Sequence, residues 1–125
     1  MAIENVILYS DLDRHENEDR IIVGSRDKSS INWDRLRIVK VKRACYLGGH
    51  WREYPEQYAI IGEALFFLED IHTNERRQYS LKSGQSLFVP PEVALKIRAF
   101  EGTIITVCFP NADLEKQSHK YEFKV

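Results

Sequence analysis

Turn-forming residues interrupt this sequence at short intervals, and that spacing limits the fold more than any other feature does. From residue 36 onward, short apolar and β-branched runs are separated by Gly62, Ser83-Gly84, Pro90-Pro91 and Glu101-Gly102. Proline cannot donate to a β-ladder, and glycine is typical of tight turns between strands. Several short strands at regular spacing indicate a β-sandwich or a β-barrel. The sequence therefore predicts an all-β fold.

The runs between these turns predict the individual strands. Residues 36–47 are rich in apolar and β-branched side chains with interspersed Arg and Lys, which favours a strand with one wet face, ended by Gly48-Gly49. Further strands are predicted over residues 57–61, 64–68, 78–81, 86–89, 95–100 and 103–109.

The polar segments and the two ends of the chain predict the remaining elements. Residues 10–19 and 69–77 are polar and predict a surface loop and a hairpin loop. Residues 21–23 predict an edge strand or an arm onto a second subunit. A short helix is predicted over residues 112–118, with Asn111 as its N-cap.

Length and charge set the domain organisation and exclude several classes of protein. A chain of 125 residues suits one domain, with a core barrel at about residues 36–110, an N-terminal arm at 1–35 and a C-terminal tail at 111–125. The net charge of −1 gives no sign of a surface for nucleic acid or membrane. No apolar run is long enough to span a bilayer, and the first residues lack the pattern of a secretory signal. We therefore expect a cytoplasmic protein whose two cysteines are free thiols.

Polar side chains alternate along residues 49–62, which read GHWREYPEQYAIIG. Residues two apart on a strand face the same side of a sheet, so His50 and Arg52 are predicted to share one face. Glu56 follows a turn and shares a face with Tyr58 on the next strand. The pattern therefore predicts two pairs of polar side chains on shared faces, His50 with Arg52 and Glu56 with Tyr58. The simpler interpretations are a hydrogen-bonded core histidine and a buried pair in which Arg52 and Glu56 neutralise each other.

Together with residues 84–98, which read GQSLFVPPEVALKIR, this stretch resembles the two motifs of the cupin superfamily. The first motif runs Gly, His-x-His, Glu, Gly, and the second runs Gly, Pro-x-Gly, His. The matching positions here are His50, Arg52, Glu56 and Gly62, and then Gly84, Pro90, Glu92 and Leu95. The resemblance implies a double-stranded β-helix, the RmlC-like jelly-roll barrel, whose interior these positions line.

In metal-binding cupins the inward positions hold three histidines and a glutamate around one divalent ion. Only His50 and Glu56 remain here as candidate ligands, because the guanidinium of Arg52 offers donors alone and Leu95 has no lone pair. A catalytic zinc site keeps three protein ligands. Recruitment of His72 or His119 would place a loop or tail residue in the site. The sequence therefore predicts no cofactor, and a divalent metal is the less favoured alternative.

The chain looks more similar still to the metal-independent nucleotide-sugar ketoisomerases, on Gly48-Gly49-His50, Glu56-Gln57 and Phe88-Val89-Pro90-Pro91. That resemblance implies a dTDP-type sugar in the pocket and two histidines that move a proton. His50 matches the first histidine, whereas Arg52 replaces the second.

Arginine cannot exchange a proton near neutral pH, but it binds carboxylates and phosphates. We therefore predict an anionic or sugar ligand, His50 as a base and Tyr58 as a partner acid. Arg52, Glu56 and Leu95 are predicted to contact the ligand.

Three functions follow from these interpretations. The leading one is a small-molecule-binding cupin related to carbohydrates or nucleotide sugars, which lacks the full catalytic set and, if an enzyme, is similar to sugar isomerases and epimerases. The alternatives are a metal-dependent oxygenase or isomerase and a non-catalytic structural or regulatory module. Exposed sheet edges need cover, so a homodimer is predicted. No nucleic acid or membrane partner is expected.

Overall fold

A computed structural model describes residues 2–9, 13–18, 21–24 and 33–123, and these form an almost entirely β structure. The strands are β1 (Ile7–Tyr9), β2 (Asp13–Glu16), β3 (Ile21–Gly24), β4 (Arg35–Lys40), β5 (Cys45–Arg52), β6 (Glu56–Ile61), β7 (Glu63–Asp70), β8 (Arg76–Lys82), β9 (Ser86–Val89), β10 (Val93–Ala99), β11 (Ile104–Phe109) and β12 (Ser118–Lys120). A short 3-10 helix (Ala2–Asn5) begins the described chain, and one α-helix, α1 (Leu114–Gln117), precedes β12. The all-β prediction is confirmed.

Two five-stranded antiparallel sheets form the jelly-roll barrel. The first sheet has the order β1-β9-β6-β11-β4 and the second the order β12-β5-β10-β7-β8. Alternate side chains of the central strands are buried, as the period of two requires. The core between the sheets is apolar, and its largest fully buried side chains include Phe66, Leu68, Leu81, Leu87, Leu95 and Ile105. The barrel also takes in β1 and β12, from the segments interpreted above as arm and tail.

The run at residues 36–47 is two strands in different sheets, so the prediction of a single strand is wrong. β4 pairs with β11 in the first sheet, and β5 pairs with β10 in the second. Between them Val41 is buried and its backbone exchanges hydrogen bonds with Thr103 and Gly102, each at 2.9 Å. This anchor holds the corner that sends the chain from one sheet to the other.

The predicted loop over residues 10–19 is also wrong for Asp13–Glu16, which form β2 and pair with β3. β3 confirms a strand at residues 21–23. Residues 10–12, 19 and 20 lie outside the described residues, as do 25–32. Within the part of the chain that the structure describes, no helix has the length and apolar character needed to cross a membrane.

The C-terminal helix is shorter than the predicted residues 112–118 and has a different N-cap. Asp113 caps α1, because its side chain accepts hydrogen bonds from the backbone N–H groups of Glu115 and Lys116. Asn111 instead accepts a hydrogen bond from the Arg35 guanidinium at 2.8 Å. The chain then extends into β12 alongside β5, a pairing that the helical composition of the tail did not indicate.

Asp70 fixes the hairpin loop between β7 and β8 and holds the N-terminal segment against it. Its buried carboxylate accepts backbone N–H groups from His72 at 2.9 Å, Thr73 at 3.1 Å and Ile3 at 3.2 Å. Burial alone would raise the pKa of Asp70, but these donors stabilise the charged form and the net effect lowers the pKa.

We expect Asp70→Asn to lower the free energy of unfolding by about 1–3 kcal/mol at pH 7, because hydrogen bonds to a charged acceptor are the stronger ones. The folded-state pKa lies below the unfolded value of about 3.9, so this stabilisation is present above that pH and is lost as pH falls through the folded-state pKa. Urea unfolding at pH 7 and at about pH 3 measures the difference. Asp113→Asn is the control, since Asn caps a helix as well as Asp does. A difference that stays constant with pH would contradict the assignment.

Candidate functional site

A β-bulge in β5 directs the first candidate residue into the barrel. Gly48 lies opposite Lys96, yet His50 lies opposite Leu95, so Gly49 is an extra residue on the β5 side of this ladder. A bulge of this kind changes which face the following side chains occupy. Without it, residues 48 and 50 would share the outer face with Lys96. With it, His50 lies beside the buried side chain of Leu95. Gly48-Gly49 therefore does not end the strand, as the sequence predicted, but bends it.

The bulge depends on glycine at residue 48. The φ angle there is +88°, in the left-handed region, and a Cβ atom would lie 2.6 Å from the backbone oxygen of Leu95. That oxygen belongs to the neighbouring strand and cannot move without disturbing the ladder. Only a residue without a side chain lets β10 approach this closely.

We expect Gly48→Ala to destabilise the fold by about 1–3 kcal/mol more than Gly102→Ala does, a figure typical of forced overpacking. Gly102 is the matched control, because it has a similar φ of +85° and nothing within 4 Å of an added Cβ. Both substitutions strain a backbone with positive φ, but only Gly48→Ala also brings a Cβ atom against the neighbouring strand. The difference between the two variants therefore measures the effect of that close contact. Chemical unfolding of both variants measures the difference, and equal losses would show that strand approach does not require Gly48.

Three of the predicted residues meet around one carboxylate oxygen. Glu56 is only 4% exposed, and its Oε1 atom accepts a hydrogen bond from Tyr58 Oη at 2.9 Å. The Nε2 atom of His50 and the Nε atom of Arg52 each lie 3.9 Å from the same oxygen. The structure thus brings together His50, Arg52, Glu56 and Tyr58, with Leu95 directly opposite His50 in the neighbouring strand.

Two polar atoms of this cluster lack hydrogen bonds. Within the described residues, His50 Nε2 and Arg52 Nε are buried and neither has a hydrogen-bond partner. The two side chains as a whole are 19% and 14% exposed, so solvent or a ligand reaches part of each. Buried polar groups are almost always paired in folded proteins. The cluster therefore offers unused hydrogen-bonding capacity on the inward side of β5.

Tyr58 is a hydrogen-bond donor to Glu56 in this arrangement. Burial raises the pKa of Tyr58 well above its usual value, and the negative charge of Glu56 raises it further. The phenol therefore keeps its proton at neutral pH and donates it to a hydrogen bond with the carboxylate. The role of Tyr58 as an acid toward a ligand stays a prediction.

Sequence reasoning missed an aromatic and cationic group beside this cluster. The Tyr54 ring, in the turn before β6, lies 5.8 Å from the ring of Phe109 at the end of β11. The Arg37 guanidinium lies 5.5 Å from the same Phe109 ring. Burial raises the pKa of Tyr54, whereas the positive charges of Arg52 and Arg37 act in the opposite direction and lower it. Arg37 lies opposite the buried Val107, so its strand parity was the signal that could have identified it.

The two histidines considered for recruitment lie away from the cluster. His72 Nε2 is 3.0 Å from Glu92 Oε2 at the exposed hairpin loop. His119 Nε2 is 2.6 Å from Glu53 Oε2, and its ring stacks on Trp51 with centroids 4.2 Å apart. Both side chains have surface partners.

The cluster does not fit a metal ion of the cupin type. Two of the four inward positions carry Arg52 and Leu95, which supply a fixed positive charge and a hydrocarbon in place of ligands. His50 and Glu56 remain, and Glu56 Oε1 already accepts the Tyr58 hydroxyl. Among the residues that the structure describes, no group of three or more His, Cys, Asp or Glu side chains could hold a metal.

Comparison with known proteins identifies the class of this fold. No protein-family model matches the chain, and no curated protein matches it. Solved structures do. A dTDP sugar isomerase from Desulfovibrio desulfuricans G20 superimposes with a TM-score of 0.82 at 15% identity, over 95% of this chain and 85% of that one. The fold is that of the RmlC-like cupins.

Two further structural neighbours belong to the same class. A dTDP-4-dehydrorhamnose 3,5-epimerase from Sulfolobus tokodaii gives a TM-score of 0.79 at 14% identity, over 94% of this chain and 77% of that one. The sugar 3,4-ketoisomerase QdtA from Thermoanaerobacterium thermosaccharolyticum, in complex with TDP, gives 0.72 at 19% identity, over 91% and 86%. These neighbours confirm the predicted jelly-roll barrel and the predicted likeness to RmlC-like epimerases and ketoisomerases.

Proposed function

We propose that this RmlC-like cupin binds a nucleotide-linked sugar at the end of the barrel where His50, Arg52 and Glu56 meet. The observation that carries the proposal is the pair of buried atoms without partners, His50 Nε2 and Arg52 Nε. A sugar is dense in hydroxyl groups, which both donate and accept hydrogen bonds and so match both atoms. Structural neighbours whose names include dTDP sugars, and one in complex with TDP, support the nucleotide part.

The residues around the cluster suit the two ends of such a ligand. His50 and Arg52 lie on one strand and face the sugar. Arg37 supplies a fixed positive charge on the inner face of β4, beside the Phe109 ring, and suits a diphosphate. The aromatic rings of Tyr54 and Phe109 add flat apolar surface at the same place.

The chemistry of the cluster favours binding, or a reaction with one base, over ketoisomerisation. A ketoisomerase removes a proton from one sugar carbon and returns a proton to another. His50 can take up or release a proton, because an imidazole nitrogen serves as a base or, once protonated, as an acid. Arg52 cannot, since its guanidinium stays charged at all working pH values. Tyr58 keeps its proton for Glu56. One exchanging group therefore stands where the ketoisomerase resemblance implies two.

We expect dTDP-glucose to bind and to stabilise the protein by about 2.7 kcal/mol at a hundred times its dissociation constant. Calorimetric titration should show His50→Ala weakening the affinity at least tenfold, because a pairing inside the barrel is removed. His72→Ala is the matched control, since that side chain is exposed and lies at the hairpin loop.

The same protein should leave dTDP-4-keto-6-deoxyglucose unconverted when the sugar is followed by NMR. Robust conversion would refute the argument from Arg52. Purified untagged protein that carried close to one equivalent of iron, zinc, manganese or nickel would favour the metal-dependent alternative instead.

We also propose that the protein is a homodimer joined through the outer face of the first sheet. Leu36 and Ile38 on the edge strand β4 are 61% and 63% exposed, and Ile61 on β6 is 56% exposed. Ladder pairings through β11 place all three side chains on that one face. A second copy suits this surface because a two-fold axis brings these exposed apolar side chains against their own copies and covers the open edge of β4.

We expect Ile38→Glu to weaken the dimer at least tenfold, because two carboxylates would be buried close together on either side of the two-fold axis. Light scattering after gel filtration, over a range of concentrations, reports the mass. Tyr46→Glu is the control, since Tyr46 is equally exposed but lies on the second sheet, and this variant should stay dimeric. A monomeric parent protein would refute the interface.

A further inference from the structure

The Nε atom of the Arg52 guanidinium lacks a hydrogen-bond acceptor inside the barrel. Its side chain is 14% exposed, and within the described chain its Nε atom is fully buried without a partner. The nearest carboxylate oxygen, Glu56 Oε1, is 3.9 Å away, beyond the range of a hydrogen bond. A guanidinium has five N–H donors in a planar fork and cannot lose its charge. Arg52 is thus a fixed charge with an empty donor edge.

Glu56 is not placed to complete the pairing of Arg52. Its Oε1 atom accepts the Tyr58 hydroxyl at 2.9 Å and lies 3.9 Å from His50 Nε2 as well. The carboxylate is 4% exposed and is held by a phenol that keeps its proton. The Oε1 atom therefore accepts a hydrogen bond from Tyr58 alone. His50 and Arg52 lie too far from it for a hydrogen bond. The charge of Arg52 is offset from a distance, while its directional donors remain available.

We infer that the sugar bound here carries a carboxylate and that Arg52 selects it, so the ligand class is a nucleotide-linked uronic acid. This inference rests on the proposed function. Paired N–H donors match the two oxygens of a carboxylate in both spacing and charge. A neutral hydroxymethyl group in the same place would use one donor and would leave the other donors of the planar fork without an acceptor.

The position of Arg52 favours the sugar over the diphosphate as its partner. Arg52 lies two residues from His50 on β5, about 7 Å along the strand, and points to the same face. The Arg52 side chain is slightly more buried than that of His50, the residue proposed to face the sugar, so both lie at a similar depth in the barrel. Arg37, over the Phe109 ring, remains for the phosphates.

The test compares three ligands that differ by one feature at a time: dTDP, dTDP-glucose and dTDP-glucuronate. Calorimetric titration of the parent protein should show dTDP-glucuronate binding at least about tenfold more tightly than dTDP-glucose. In Arg52→Gln the ratio should fall below about threefold, with the affinity for dTDP itself little changed. Arg37→Gln should weaken all three ligands and keep the ratio. Arg98→Gln, on the exposed outer face of β10, should change nothing.

The outcomes distinguish this inference from the proposed function. Equal affinity of the parent protein for the two sugars overturns the carboxylate assignment and leaves nucleotide-sugar binding intact. Failure of all three ligands to bind refutes the proposed function itself. If Arg52→Gln weakens dTDP as much as dTDP-glucuronate, the guanidinium serves the phosphates and the assignment is wrong.

A second variant keeps the test decisive if Arg52→Gln does not fold. Arg52→Lys retains the charge but loses the planar fork, so it should keep only part of the discrimination between the two sugars. Full discrimination in Arg52→Lys would overturn the paired recognition. The preference of the parent protein between the two sugars needs no variant at all.

Discussion

The bulge at Gly48 and Gly49 is the constraint on which the site depends. It comes from the close approach of β10 to β5, where the backbone oxygen of Leu95 occupies the space that any side chain at residue 48 would need. The extra residue reverses the facing of everything that follows in β5. His50 and Arg52 therefore point inward because two glycines precede them. A site on a central strand is also held more rigidly than one on a loop.

A buried carboxylate is the second element that organises this end of the barrel. Removing Glu56 from water is costly unless nearby groups compensate its charge. Here Tyr58 supplies the hydrogen bond, while Arg52 forms an ion pair with Glu56 at 3.9 Å, a distance too long for a hydrogen bond. This division of roles keeps Glu56 in place and leaves the guanidinium edge open. A direct bidentate pair between Arg52 and Glu56 would have used the same donors and closed the site.

Strand parity and turn residues were enough to predict much of this arrangement. The shared face of Glu56 and Tyr58 follows from a period of two, and the end of β9 follows from Pro90-Pro91. The division of residues 36–47 could not be predicted, because both halves carry apolar side chains with no Gly or Pro between them, and the corner depends on the distant backbone of Thr103. The bulge could not be predicted for a related reason. A pair of glycines is also typical of a turn, and only the pairing with the neighbouring strand decides between a turn and a bulge.

The choice between histidine and arginine at residue 52 changes which chemistry the side chain can perform, but not where the side chain lies in the barrel. The residue at position 52 is aimed by the bulge and by the strand, and this aim is independent of which side chain is present. A histidine there would add a second imidazole able to exchange a proton, whereas an arginine adds a permanent charge with a planar set of donors. The first favours proton transfer between two sugar carbons, and the second favours recognition of an anionic group. Because position and chemistry are set by separate parts of the sequence, one side chain at residue 52 decides which of the two the same barrel offers.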